Sequence, residues 1–298
     1  MNQNRKIFEA IIWFDIFDWP LNSIELKKYT GAENLPDIYQ NSLSGTIEFS
    51  DGFYFLKGRK VIIKKRILRQ KTTIKKIKIG KLAAKILSLV PFVKMTAICN
   101  DLAYFNAPEE SDIDFFVVVK SGRIWLTRFL ATFILFALGL WRHGKKIKDR
   151  ICLSFFIADD DLNLKNIAYD DDIYLKYWIL QILPLFCSGV VYQKFLKENS
   201  WTTDEFPNFF QNIPSLKIKV QPKFLQMVLE KILNGWLGNL LENFLRRIQL
   251  KIMGKNIPWQ KEKDVIISDK MLKFHEKDRR KHFKNIFEKK LIEINRNL

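Results

Sequence analysis

Residues 94–120 read KMTAICNDLAYFNAPEESDIDFFVVVK, and the way the chain crosses this stretch decides the fold. Phe115 to Val119 is aromatic and β-branched and carries no charge, the composition of a strand covered on both faces. Asp112 and Asp114 are two residues apart, so in an extended backbone both carboxylates leave from one face while Ile113 leaves from the other. Two acids side by side at the mouth of a buried strand are costly unless a cation lies between them. A hard divalent ion with oxygen ligands meets that need. The plainer reading, that Ser111-Asp112-Ile113-Asp114 is a polar strand start with solvated acids, stays open on these four residues alone.

Upstream lies a second apolar run, Ala97-Ile98-Cys99, closed by Asn100-Asp101, and ten residues separate that pair from Asp112. The segment AICNDLAYFNAPEESDIDFFVVV resembles the nucleotidyltransferase superfamily of polymerase-beta type. There a strand ends in Gly-Gly or Gly-Ser and, after a gap of about this length, Asp-x-Asp enters the next strand. The resemblance implies that Asp112 and Asp114 bind Mg²⁺ carrying a nucleoside triphosphate, and that Asn100, Asp101 and Ser111 border the nucleotide. Asn100-Asp101 stands where the family has its Gly-Ser turn, which puts a negative charge beside the expected phosphates. The family also places a third acid on a later strand. The next apolar run, Ile151–Ile157, has none, and Ser154 occupies the expected place, while Asp149, Asp159, Asp160 and Asp161 flank the run. Two functions therefore remain open: Mg²⁺-dependent transfer of a nucleoside monophosphate to an unidentified hydroxyl, or a degenerate core serving as a nucleic-acid-binding or regulatory scaffold.

The rest of the chain frames this core. With 298 residues, 48% of them hydrophobic and 25 of them Phe, it is long enough for two or three domains and far from a disordered composition. Cys99, Cys152 and Cys187 are scattered in apolar runs and read as buried thiols in a reducing compartment. His143, His275 and His282 are dispersed, so a zinc site is not expected. The start carries acids within its apolar stretch and no small-residue cleavage site, which favours a cytoplasmic location.

Lys6 to Phe17 predicts a first helix, and Asn22 or Ser23 caps a second that Gly31 stops. A third short helix is expected at 36–42. Asp51-Gly52 between apolar-rich runs is a hairpin signal, so residues 1–58 read as a winged-helix domain. Residues 59–90 then predict a basic connecting helix. Positions 57–85 hold 13 Lys or Arg and no acid, a candidate stripe for nucleic-acid backbone in a chain of net charge +18.

Ile124 to Trp141 is apolar over 18 residues apart from Thr127, Arg128 and Thr132. Its place between two expected strands of one sheet argues for a crossover helix. Contact with a membrane surface through 124–146 is the minor reading. Asp170-Asp171-Asp172 predicts a helix cap. Residues 166–298 read as a helical domain, with loop at 211–223. Ser268-Asp269, His275 and Lys277-Asp278-Arg279-Arg280-Lys281 in the tail are candidates for placing cations near a polyphosphate, or else form a solvated helix face. The expected architecture is α+β: a winged helix, the connecting helix, a nucleotidyltransferase core over 91–165 and a helical end.

Overall fold

A computed structural model describes residues 3–32, 45–203, 224–256, 264–274 and 278–295. The chain is a mixed α+β protein, as its sequence suggests. It opens with α1 (Gln3–Asp15), β1 (Leu21–Asn22) and α2 (Ser23–Thr30). Asn22 caps α2 through a capping box, accepting from the Glu25 N–H while Glu25 accepts from the Asn22 N–H. Gly31 ends the helix at φ 69°. The expected helix at 36–42 and loop at 211–223 lie outside the described residues, as do His275 and Lys277.

β2 (Ile47–Ser50) and β3 (Phe53–Leu56) follow as a hairpin. Asp51 and Gly52 both take positive φ, 53° and 82°, which a two-residue hairpin turn of this hand requires. α3 (Val61–Leu87) runs for 27 residues, burying Ile62, Thr73, Gly80, Ala83 and Leu87 along one face. Then come β4 (Val93–Ile98), α4 (Asn100–Ala103), β5 (Ile113–Val119), α5 (Ile124–Ala137) and β6 (Ile151–Ala158).

Residues 166–298 were expected to be helical, and they supply α6 (Ile173–Gln181), α7 (Val191–Glu198), α8 (Phe224–Leu233), α9 (Trp236–Asn256) and α10 (Arg280–Asn295). The same stretch also gives β7 (Leu183–Cys187), β8 (Val265–Ile267) and β9 (Met271–Phe274). Among the described residues these complete a six-stranded sheet in the order β7-β4-β5-β6-β9-β8, while β1, β3 and β2 form a smaller one. The helical reading of β7 fails because Pro184 sits on an edge strand, where a missing N–H is tolerated.

β5 runs antiparallel to β4 and parallel to β6, with α5 as the crossover between the parallel pair. Phe115, Val117 and Val119 face α3 and α5 in one apolar cluster. Phe116 and Val118 face α6 and α7 in another. The strand is thus buried on both sides, and Asp114 shares a face with Phe116. α10 returns to the N-terminal region, where Lys290 reaches Asp15 at 2.6 Å and Arg59 holds the same buried carboxylate at 2.9 Å.

Candidate metal centre

β5 and β6 run parallel with Ile113 opposite Ile151 and Asp114 opposite Cys152. That register brings ligand atoms of Asp112, Asp114 and Cys152 within 4.8 Å of one another. The third position is therefore Cys152 rather than Ser154. The pairing of Ile113 with Ile151 sets this register, the shift that follows Asp114 carries Phe116 on to Phe155, and counting along the sequence sees neither. The flanking acids lie elsewhere: Asp149 pairs with Lys75 and Lys76, Asp159 accepts from the Ser121 N–H, and Asp160 pairs with Lys270.

Asp112 Oδ2 is buried and receives no aligned hydrogen bond among the described residues. The guanidinium of Arg142 stands 2.7 Å away as an ion pair. Asp114 is raised to about 7, first by burial and then by the charge of Asp112, while a hydrogen bond from the Asn100 side chain pulls the other way. Burial pushes the Cys152 thiol up to about 12, with both carboxylates adding to the effect, so at neutral pH it is an uncharged thiol. The donor set is two carboxylates and a weak neutral sulfur. That suits one Mg²⁺, which takes one or two carboxylates and completes its shell with phosphate and water. A second ion would need another hard ligand, and none lies in the cluster.

Asn100 has φ 55°, the left-handed conformation at which Asn is tolerated and Gly is at ease. Its side-chain oxygen accepts from Trp178 Nε1 at 2.8 Å, which leaves its amide free to face Asp114. Ser111 turns away, its hydroxyl donating to the Pro108 carbonyl at 2.9 Å. The Ser111 carbonyl accepts from the buried Lys76 ammonium at 2.6 Å, which fixes the backbone just before Asp112.

No family model matches this chain, and no curated protein or solved structure does so either.

Asp114 opens onto a cavity of about 290 Å³ bordered by Asn100, Asp101, Phe155, Trp178, Arg279 and Phe283. Phe155 and Trp178 stack at 5.6 Å and form an aromatic wall. Asp101 is exposed where it borders the cavity, yet the protein mass around it raises its pKa, with Asp112 adding and Arg69 opposing. Across from these acids stand Lys273, Arg279 and Arg280. Arg280 is bound to Asp172 and Asp278, and Lys273 to Asp278. Arg279 is exposed and makes no side-chain hydrogen bond or ion pair among the described residues, which leaves it as the cation facing the cavity. Of the tail residues singled out in the sequence, Asp269 binds Trp125 and Arg246 instead. The aromatic wall and Cys152 carried no signal beyond being apolar, and only the fold assigns them to the site.

Proposed function

We propose that the chain is a nucleotidyltransferase-fold protein that binds a nucleoside triphosphate as its Mg²⁺ complex, and that it passes the nucleoside monophosphate to a hydroxyl acceptor. The observation that carries this reading is the placement of Asp112 and Asp114 side by side, with Asp114 bordering a cavity that is aromatic on one wall and cationic on another. Order along the chain supports the same fold: a helix, a strand, a short turn helix at Asn100, the Asp-x-Asp strand, a crossover helix and a parallel third strand. Mg²⁺, when bound, offsets phosphate charge and the repulsion between the two carboxylates. The chain's own residues do the rest. Asp112 and Asp114 hold the ion, Asn100 orients Asp114, Arg279 offers a charge to phosphate, and Trp178 with Phe155 offers an apolar face to a base.

A second reading, nucleotide binding without transfer, rests on Cys152 and Arg142. In-line transfer through two metals needs a third carboxylate, and the cluster has a thiol in its place with a guanidinium on Asp112. Incubation with labelled triphosphates, Mg²⁺ and a mixture of acceptors separates the two. Label moved to an acceptor supports transfer, and tight binding with no movement of label supports the binder.

Nucleic-acid backbone is the partner we propose for α3. Lys64, Lys71, Lys78 and Lys85 are exposed at seven-residue intervals, roughly 10 Å apart along the helix. A winged-helix identity for the N-terminal region and a cytoplasmic location belong to the same proposal. The hairpin after α2 supports the first and the three buried free cysteines support the second.

A further inference from the structure

We propose that α5, α8 and α9 form a docking face that seats the chain on the surface of an anionic lipid bilayer. On α9 the side chains of Trp236, Leu240, Phe244 and Ile248 recur every four residues and are all exposed, a ridge about 18 Å long. Trp236 is 78% exposed and Phe244 57%. On α5, Phe129, Phe133 and Phe136 point outward, with Phe133 61% exposed. Between the two helices runs a groove of about 360 Å³ lined by Phe129, Phe133, Phe136, Trp141 and Met253, with Gln249 and Arg128 at its polar end. α8 continues the apolar surface through Phe224, Leu225 and Ile232. Single exposed apolar residues are ordinary, but a contiguous aromatic surface on neighbouring helices calls for a partner.

Charge selects the partner. Residues 121–148 contain no acid, and those of 224–256 are Glu230 and Glu242 alone. Both turn inward. Glu230 accepts from the Phe92 N–H and lies beside Lys94, and Glu242 accepts from the N–H groups of Trp125 and Leu126 at the start of α5. The exposed cations Lys231, Arg247 and Lys251 on α8 and α9, and Lys145 and Lys146 beyond α5, are left without an acid from these segments beside them. A second copy of the chain would bring the same cations face to face, and a neutral apolar partner would leave them without counter-charge. Anionic headgroups over an acyl boundary satisfy both the apolar ridge and its cations. No helix among the described residues is long and apolar enough to cross a membrane, so the contact lies in the plane of the interface.

The test is flotation of the full chain with phosphatidylcholine vesicles, with and without phosphatidylglycerol. Binding is expected to the vesicles containing phosphatidylglycerol and to fall with added salt. Trp236→Glu with Phe244→Glu should weaken it by tenfold or more in order of magnitude. Arg247→Glu with Lys251→Glu should weaken it roughly tenfold or more, on the anionic vesicles alone. Circular dichroism and a melting curve check that each variant is folded, and the salt and lipid dependence of the unaltered chain decides the matter if one is not. Three results would overturn the proposal. The chain could float with neither vesicle. Binding could vanish on reversing Lys64, Lys71, Lys78 and Lys85 while Trp236→Glu with Phe244→Glu leaves it intact. Light scattering could show a dimer that the Trp236 and Phe244 substitutions split.

Discussion

Asp114 is the residue on which burial, charge and function meet. Burial, and then the charge of Asp112 beside it, raises its pKa to about 7, so at neutral pH the pair carries its full charge only part of the time. A divalent ion needs both oxygens ionised, and binding should therefore release a proton. Affinity for Mn²⁺ is expected to rise as pH increases through about 7, measured by calorimetry in buffers of different ionisation enthalpy. Cys152 provides the complementary test. Replacing its neutral thiol by carboxylate in Cys152→Asp should strengthen divalent-ion binding by roughly tenfold or more, whereas Cys152→Ser should leave it within about twofold. The Asp pair was legible from alternation alone, because a period of two fixes the face of a strand. Cys152 was not, because which residue of a neighbouring strand stands opposite Asp114 depends on a register set by packing.

At the scale of elements, the polar anchors decide how helices meet the sheets. Arg66 of α3 is buried and lies over the Trp19 and Phe53 rings at 4.0 and 4.6 Å. It grips Glu25 with two hydrogen bonds of 2.6 and 2.9 Å and donates to the Pro20 carbonyl. Arg66→Met keeps the stem and removes the charge from a half-buried partner, so a loss of about 3 kcal/mol is expected in denaturant unfolding. Gly80 sits where α3 crosses the sheet, and a Cβ there would meet Ile98 at 3.1 Å and Leu185 at 3.4 Å. Gly80→Leu should cost about 1–3 kcal/mol by overpacking.

At the start of α10, Asp278 is pushed up by burial, yet Lys273 and Arg280 more than offset this and hold it below the ordinary carboxylate range. Its folded state releases the proton more readily than the unfolded chain does. The stability it contributes is complete above the unfolded value of about 4 and is lost as pH falls below that. Asp278→Asn should lower the melting temperature at neutral pH, and its gap to the parent should narrow as pH falls below about 4. The sequence disclosed the elements with strong local signals: the Asn22 capping box, the Asp51-Gly52 turn and the Asp172 cap, which accepts from the Leu175 N–H at 2.9 Å. It concealed β7, β8 and β9, because strands of three to five residues have too few alternations to show a period, and Pro184 argued against one of them.

Across the whole molecule, the net charge of +18 is divided between surface and interior. Arg66, Lys76, Lys273 and Arg280 are buried and partnered, while the exposed lysines of α3 remain outside. Composition could report the excess but not this division. Reversing Lys64, Lys71, Lys78 and Lys85 to Glu should weaken nucleic-acid binding uniformly across sequences and reduce its dependence on salt, as read by fluorescence anisotropy. Long-range ties close the fold: α10 packs back on α1 through the buried carboxylate of Asp15, and α9 covers the start of α5 through Glu242. No local pattern marks such ties, since each joins residues more than a hundred positions apart.

The most direct measurement is a Mn²⁺ titration followed by electron paramagnetic resonance, with and without a non-hydrolysable ATP analogue, on the parent chain and on Asp112→Asn with Asp114→Asn. One bound ion is expected in the parent, held more tightly with the analogue present, and a loss of roughly a hundredfold or more in the double variant. Equal binding by the folded double variant would contradict it.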